Sequence, residues 1–105
     1  MTDRELLELA AKAAGIDWFD EPAAKQGRGL HLKSGRFWNP LTDDGDALRL
    51  AVKCNLDIEL QEDCVFANGF EVQNYQLFEW CKDDPYAATR RAIVRVAAAI
   101  GEQMK

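Results

Sequence analysis

The stretch "DDPYAATRRAIVRVAAAIGEQM" (83–104) limits the fold more than any other part of this 105-residue chain. Asp84 offers a capping side chain, and Pro85 falls at the first helical position, where its missing amide hydrogen costs nothing. Ile93, Val96, Ala97, Ile100 and Met104 then recur at helical spacing. A helix this long and this apolar on one side must lie on something. The rest of the chain has to supply that surface, and at 48% hydrophobic residues it has the material. A chain of this size buries roughly two-thirds of the surface it exposes unfolded, so one domain spanning 1–105 with a single core is expected.

Two more helices are legible. In "TDRELLELAAKAAG", Thr2 and Glu5 have capping-box spacing, Asp3 suits the positive end of the dipole, and Gly15 suits the stop. Leu6, Leu9, Ala10 and Ala13 form its stripe, widened by Leu7 and Ala14. A second helix is expected from about Gly45 to Asn55, with Ala47, Leu48, Ala51 and Val52 inward and Leu50 and Cys54 on the flank. Between the helices the period changes to two. Ile16 to Phe19 reads as a short strand; Leu30 and Leu32 alternate with His31 and Lys33; Ser34-Gly35 turns the chain back through Phe37 and Trp38, and Pro40 ends that strand. Leu56, Ile58 and Leu60 alternate with Asp57, Glu59 and Gln61. Asn68-Gly69, between "CVFA" and "FEVQ", is the dipeptide of a type I′ hairpin turn. The outgoing strand from Phe70 to Trp80 changes apolar parity, which a bulge near Asn74 or burial on both faces would explain. The expected class is α+β: a mainly antiparallel sheet of about four strands packed with three helices, in the order α-β-β-α-β-β-α.

Charge narrows the partners. The formal charge is −5 and the pI about 4.8, which opposes direct binding to nucleic acid or to anionic membrane and suits a basic partner or a cationic groove. No apolar run reaches the ~20 residues of a membrane span, and the acidic, amphipathic start is unlike a secretory signal, so a cytoplasmic location is expected. Cys54, Cys64 and Cys81 are spaced by ten and seventeen, without a CxxC pair, and His31 is the one histidine. A zinc site would need all four, and a Cys–His catalytic pair has a single base available; reduced, mostly buried thiols are the preferred reading. No cofactor is expected.

The acidic cluster Asp43, Asp44 and Asp46 in "WNPLTDDGDALRLAV" is the nearest thing to a chemical motif. A calcium loop fails because the chain turns apolar directly after Asp46; a two-carboxylate magnesium site has nothing further to support it. Capping by Asp43 or Asp44, with Asp46 in the first helical turn, is preferred. Arg90, Arg91 and Arg95 on the last helix would meet phosphates or form a solvated face paired with carboxylates, and the second is favoured. Trp38 and the other aromatics are core material, unless one or two lie exposed and mark a partner site. Trp38, the three aspartates and the three arginines are therefore the candidate binding residues, with no catalytic or metal-binding residue assigned.

"WNPLTDDGDALRLAVK" (38–53), "DDPYAATRRAIVRVAAAIG" (83–101) and the opening "MTDRELLELAAKAAG" together resemble small accessory proteins encoded by bacteriophages and prophages of Gram-negative bacteria. The resemblance spans about half the chain and leaves the two hairpin regions unmatched. It implies a protein working in the cytoplasm of an infected host and supplies no catalytic residues. Proteins of this kind often bind a host protein, including components of antiviral defence. A non-enzymatic binder of a host macromolecule is thus the first expectation. A small-ligand or nucleotide-sequestering module is the alternative, and an enzyme the third. A homodimer is left open.

Overall fold

The computed structural model describes residues 2–19, 29–69, 76–81 and 83–104. Three helices and five short strands follow in the order α1 (Asp3–Ala14), β1 (Leu30–His31), β2 (Phe37–Trp38), α2 (Asp44–Lys53), β3 (Leu56–Leu60), β4 (Cys64–Gly69), β5 (Gln76–Trp80) and α3 (Pro85–Gln103). The α+β class holds. The strands, however, form two antiparallel sheets, β1-β2 and β3-β4-β5, where one sheet was expected.

Helix starts follow their cap chemistry. Thr2 accepts from the Glu5 amide while Glu5 reaches back to the Thr2 amide, completing the capping box of α1. Asp43 accepts from the Asp46 amide at 2.8 Å and Asp84 from the Ala87 amide at 3.1 Å, so α2 and α3 each begin on an aspartate cap. Gly15 closes α1 in the left-handed region, and α2 runs out through Asn55, another left-handed residue (φ 55°).

Helix α3 is the spine. Ala92, Val94, Ala98 and Gly101 are buried as well as Ile93, Val96, Ala97 and Ile100, because α1, α2 and the larger sheet surround it. The expected stripe named only one side, and its last member, Met104, lies past the helix end and is exposed. Small residues let the helices approach. A Cβ at Gly101 would stand 2.0 Å from the Leu9 carbonyl oxygen, so α1 crosses α3 almost backbone to backbone there. The buried face of α1 is Leu6, Leu7, Ala10, Ala11 and Ala14, turned slightly from the expected stripe, with Leu9 and Ala13 at its margin.

In α2 the inner face is Ala47, Leu50, Ala51 and Cys54 together with Asp46; Leu48 and Val52 are exposed, contrary to the expectation that they face the core. Both stripes have helical spacing. The helix lies on α3 through the one carrying Leu50.

The Ser34-Gly35 turn forms as expected. Leu32 accepts from the Gly35 amide and donates to the Arg36 carbonyl, with Gly35 at φ 103°, a three-residue connection closed by a left-handed glycine. Trp18 adds a single antiparallel bridge to Leu32, held by Phe19 N–H to the His31 carbonyl and Lys33 N–H to the Asp17 carbonyl, so the expected strand at 16–19 is one bridge long.

The Asn68-Gly69 turn does not form. Both residues lie inside β4, where Asn68 pairs with Asp57 and Gln76 and Gly69 pairs with Leu56. The glycine serves packing: a Cβ on Gly69 would meet Ile100, Val96 and Leu56 side chains at 3.2–3.3 Å. The expected bulge near Asn74 lies outside the described residues.

Candidate functional site

The larger sheet buries one face and leaves the other open. Val65, Ala67, Gly69 and Leu77 point at α3, with Leu56 and Ile58 packed at the margin. Glu79 also lies on this side and pairs with Arg95 of α3. The register then assigns the opposite face row by row: Asp57 beside Asn68; Glu59 beside Phe66 beside Phe78; Gln61 beside Cys64 beside Trp80. Phe66 and Phe78 centroids are 5.9 Å apart, and Phe78 meets Trp80 edge-on at 5.2 Å. Phe78 is 47% and Trp80 57% exposed. The result is a continuous aromatic ladder along β4 and β5 with two carboxylates on the neighbouring β3.

The charge around this ladder is of one sign. Six of the 18 acidic residues and none of the 13 basic ones fall between 54 and 81, so that segment carries −6 and the remainder +1, giving the total of −5. Glu62 and Asp63 occupy the exposed β3–β4 turn beside the ladder. Among the described residues, Asp57, Glu59, Glu62 and Asp63 make no ion pair, whereas Arg4 pairs with Glu8 at 3.1 Å, Arg91 with Asp3 at 3.4 Å and Arg90 with Asp44 at 2.6 Å. The Cys64 thiol reports the same field: its pKa is raised by burial first, and Asp63, Cys81 and Glu59 push the same way. A protonated thiol of that kind is a poor nucleophile.

The aspartates form the corner where the small sheet meets α2. Asp43 is the cap of α2. Asp44 pairs with Arg90, which also donates from Nε to the Leu41 carbonyl at 2.9 Å and so ties α3 to the loop before α2. Asp46, expected only as a first-turn charge, is a 4%-exposed hub. Its Oδ2 accepts from the Asn39 amide at 3.0 Å; its Oδ1 accepts from Arg49 at 2.7 Å and from Arg36. Burial alone would raise its pKa, but the Asn39 amide and the Arg49 and Arg36 guanidinium groups outweigh that and hold it below the ordinary aspartate value.

Arg90, Arg91 and Arg95 diverge to three elements, α2, α1 and β5 respectively, each onto a carboxylate. Trp38 is 2% exposed and belongs to the core. The seven candidates are therefore not one cluster: the aspartates and Arg90 share a corner, and Arg91 and Arg95 leave it. His31 stacks on Phe37 at 4.9 Å and tilts against Phe19 at 5.0 Å at the small sheet, while Cys64 lies in the larger one and Cys81 directly follows its last strand. No group of three or more metal-ligating side chains gathers among the described residues.

Two larger concavities open among the described residues. An apolar groove of about 570 Å³ runs between α2, the end of β3 and the start of α3, lined by Leu48, Leu60, Tyr86 and Ile93, with Asp44 and Arg90 at its edge. A second, of about 480 Å³, opens between the end of α1, the β1–β2 hairpin and α2; Arg36, Arg49 and Lys53 border it and Trp38 lies in its wall. Among the described residues no helix is long and apolar enough to cross a membrane.

Sequence reasoning missed the open face, although two signals mark it: the absence of any Lys or Arg from 54 to 81, and aromatics at 78 and 80 in step with Phe66 across the strand pair. Comparison with protein-family models, with curated proteins and with solved structures finds no match to the chain.

Proposed function

We propose that this chain is a non-enzymatic binding protein that engages a protein partner through the open face of β3-β4-β5. The carrying observation is the Phe66–Phe78–Trp80 ladder, two of whose rings stand about half exposed on a sheet face that none of the described helices covers. Exposed aromatics in a contiguous patch are the usual anchors of an interface. The resemblance to phage accessory proteins makes the partner a host protein in the bacterial cytoplasm, and inhibition of a host defence component is the biological role that fits. The resembling segments, 1–15, 38–53 and 83–101, build α1, α2, α3 and the corner between the last two. The ladder lies in the stretch that carries no resemblance, as a partner-specific face on a shared scaffold would.

The test is capture from host lysate by the wild-type chain and by Phe78→Ser/Trp80→Ser, with Leu48→Ser/Val52→Ser as a control on another exposed apolar surface. A protein retained by the wild type and the control but lost from the ladder variant supports the reading. Equal retention by all three, or turnover of a substrate by the purified chain, refutes it.

The cleft bordered by Arg36, Arg49 and Lys53 favours a second reading, a module that sequesters a small anion or nucleotide. The cations differ from the Arg90, Arg91 and Arg95 set expected from sequence. A saturable rise in melting temperature with ATP or inorganic phosphate, abolished by Lys53→Ala, would establish it; no shift with either would remove it.

A further inference from the structure

We propose that the open face of β3-β4-β5 docks an arginine-bearing basic segment of the partner, with guanidinium groups stacking on the Phe66–Phe78–Trp80 ladder and pairing with Asp57 and Glu59. The inference rests on the reading of that face as the binding surface and adds the chemistry of what it binds.

Charge complementarity selects the sign. The unpaired carboxylates of the described chain concentrate on β3 and the β3–β4 turn, and the whole segment from 54 to 81 holds no cation to neutralise them. A basic surface approaching this face is drawn in, and an acidic one is repelled. The helical body behaves differently, since its carboxylates at 3, 8, 43, 44 and 46 are already held by arginines.

Geometry selects arginine over lysine. Neighbouring strands lie about 4.8 Å apart, so Glu59 flanks Phe66 directly and stands roughly 10 Å from Phe78 across the sheet. A planar guanidinium lying on the Phe66 ring therefore has a carboxylate within reach of its edge. A second can lie over Phe78 and Trp80, whose edge-on arrangement offers one open ring face. Arginine satisfies stacking and bidentate pairing together, whereas an ammonium is a compact, strongly hydrated point charge that does neither as well. The aromatic column and the acidic column run parallel along the strands, which suits an extended segment with cations on alternate residues.

The experiment measures binding of two labelled peptides, alternating arginine–serine and alternating lysine–serine, to the full chain by fluorescence polarisation at low and high salt. The arginine peptide should bind saturably and several-fold tighter than the lysine peptide. Trp80→Ser should weaken it about tenfold or more. Asp57→Asn/Glu59→Gln should weaken it several-fold and flatten its salt dependence, whereas Asp17→Asn/Glu102→Gln, an equal charge change elsewhere, should leave it unchanged. Melting curves confirm that each variant is folded, and Phe78→Ser replaces Trp80→Ser if the latter is not. Equal affinity for the two peptides, equal losses in both charge variants, or no saturable binding overturns the proposal. A lysate partner that depends on Phe78 and Trp80 but ignores Asp57, Glu59 and salt would refute this chemistry and leave the face as the binding surface. A partner indifferent to the rings would refute the face itself.

Discussion

Asp46→Asn is the substitution whose outcome the structure fixes most tightly. Three donors converge on the Asp46 carboxylate: the Asn39 amide on Oδ2, and Arg36 and Arg49 on Oδ1. Asparagine keeps the shape but turns one of the two acceptors into a donor, so either the Asn39 amide or the arginines must face a donor. The arginine side chains are 51% and 62% exposed and can return to water, so their share of the loss is small. The Asn39 amide loses a charged acceptor at a part-buried site, worth about 1.5–3 kcal/mol. A net cost of about 2 kcal/mol lowers the melting temperature by roughly 8 °C or more for a domain near 100 residues. The pH dependence follows from the direction of the pKa shift. Asp46 is more acidic folded than unfolded, so its contribution is complete above about pH 5 and is lost as pH falls through the folded value. Thermal unfolding followed by circular dichroism should therefore show a wide gap between wild type and variant at about pH 7 that closes towards about pH 3. Coincident melting curves near neutrality, or a gap that does not narrow in acid, would refute the hub.

Gly101→Ala places a Cβ 2.0 Å from the Leu9 carbonyl oxygen, and should cost roughly 2–3 kcal/mol in urea unfolding as α1 is pushed off α3. Asp43→Ala should cost about 0.5–2 kcal/mol while Asp43→Asn costs almost nothing, because asparagine also caps; equal losses in a thermal melt would contradict the capping role. Trp38→Ala should cost about 3–5 kcal/mol, as for other buried tryptophans, against about 1 kcal/mol for Trp80→Ser, which gives up one edge-on ring contact at the surface.

What the sequence revealed and what it hid divide along the range of the interactions involved. The caps Thr2 and Asp84 were legible, and that of α2 to within Asp43 or Asp44, because a cap reads only the next three residues. The inner face of α2 was not, because stripes through Leu48–Val52 and through Leu50–Cys54 share Ala47 and Ala51, and only the position of α3 decides between them. Asn68-Gly69 carries a strong local turn signal that lost to a packing demand from Val96 and Ile100, some thirty residues away in sequence. Asp46 was visible as an acidic first-turn residue, yet its hub depends on Arg36 and Asn39, which the hairpin brings back to it. The apolar parity change along the strand ending at Trp80 suggested a bulge near Asn74 or burial on both faces; over Gln76–Trp80 α3 covers one face and leaves Phe78 and Trp80 in water.

An open sheet bearing aromatic rings is an aggregation hazard, and charges beside it are a common protection. Protection sets no sign, and lysine is often the guard on exposed strands. Here every charge between 54 and 81 is negative. Asp57 and Glu59 point the same way from one strand, about 7 Å apart at strand spacing, and even at the dielectric of water they repel by about 0.6 kcal/mol. Glu62 and Asp63 add to that repulsion on the turn beside them. A single lysine at any of these positions would guard the face equally well and relieve the repulsion. For the isolated domain the single-sign arrangement is therefore a small net cost. It becomes favourable only when cations arrive from outside, and six of the chain's own arginines are already held by Asp3, Glu8, Asp44, Asp46 and Glu79. Stability of the lone domain accounts for the buried face of the sheet; the open face makes physical sense as half of an interface.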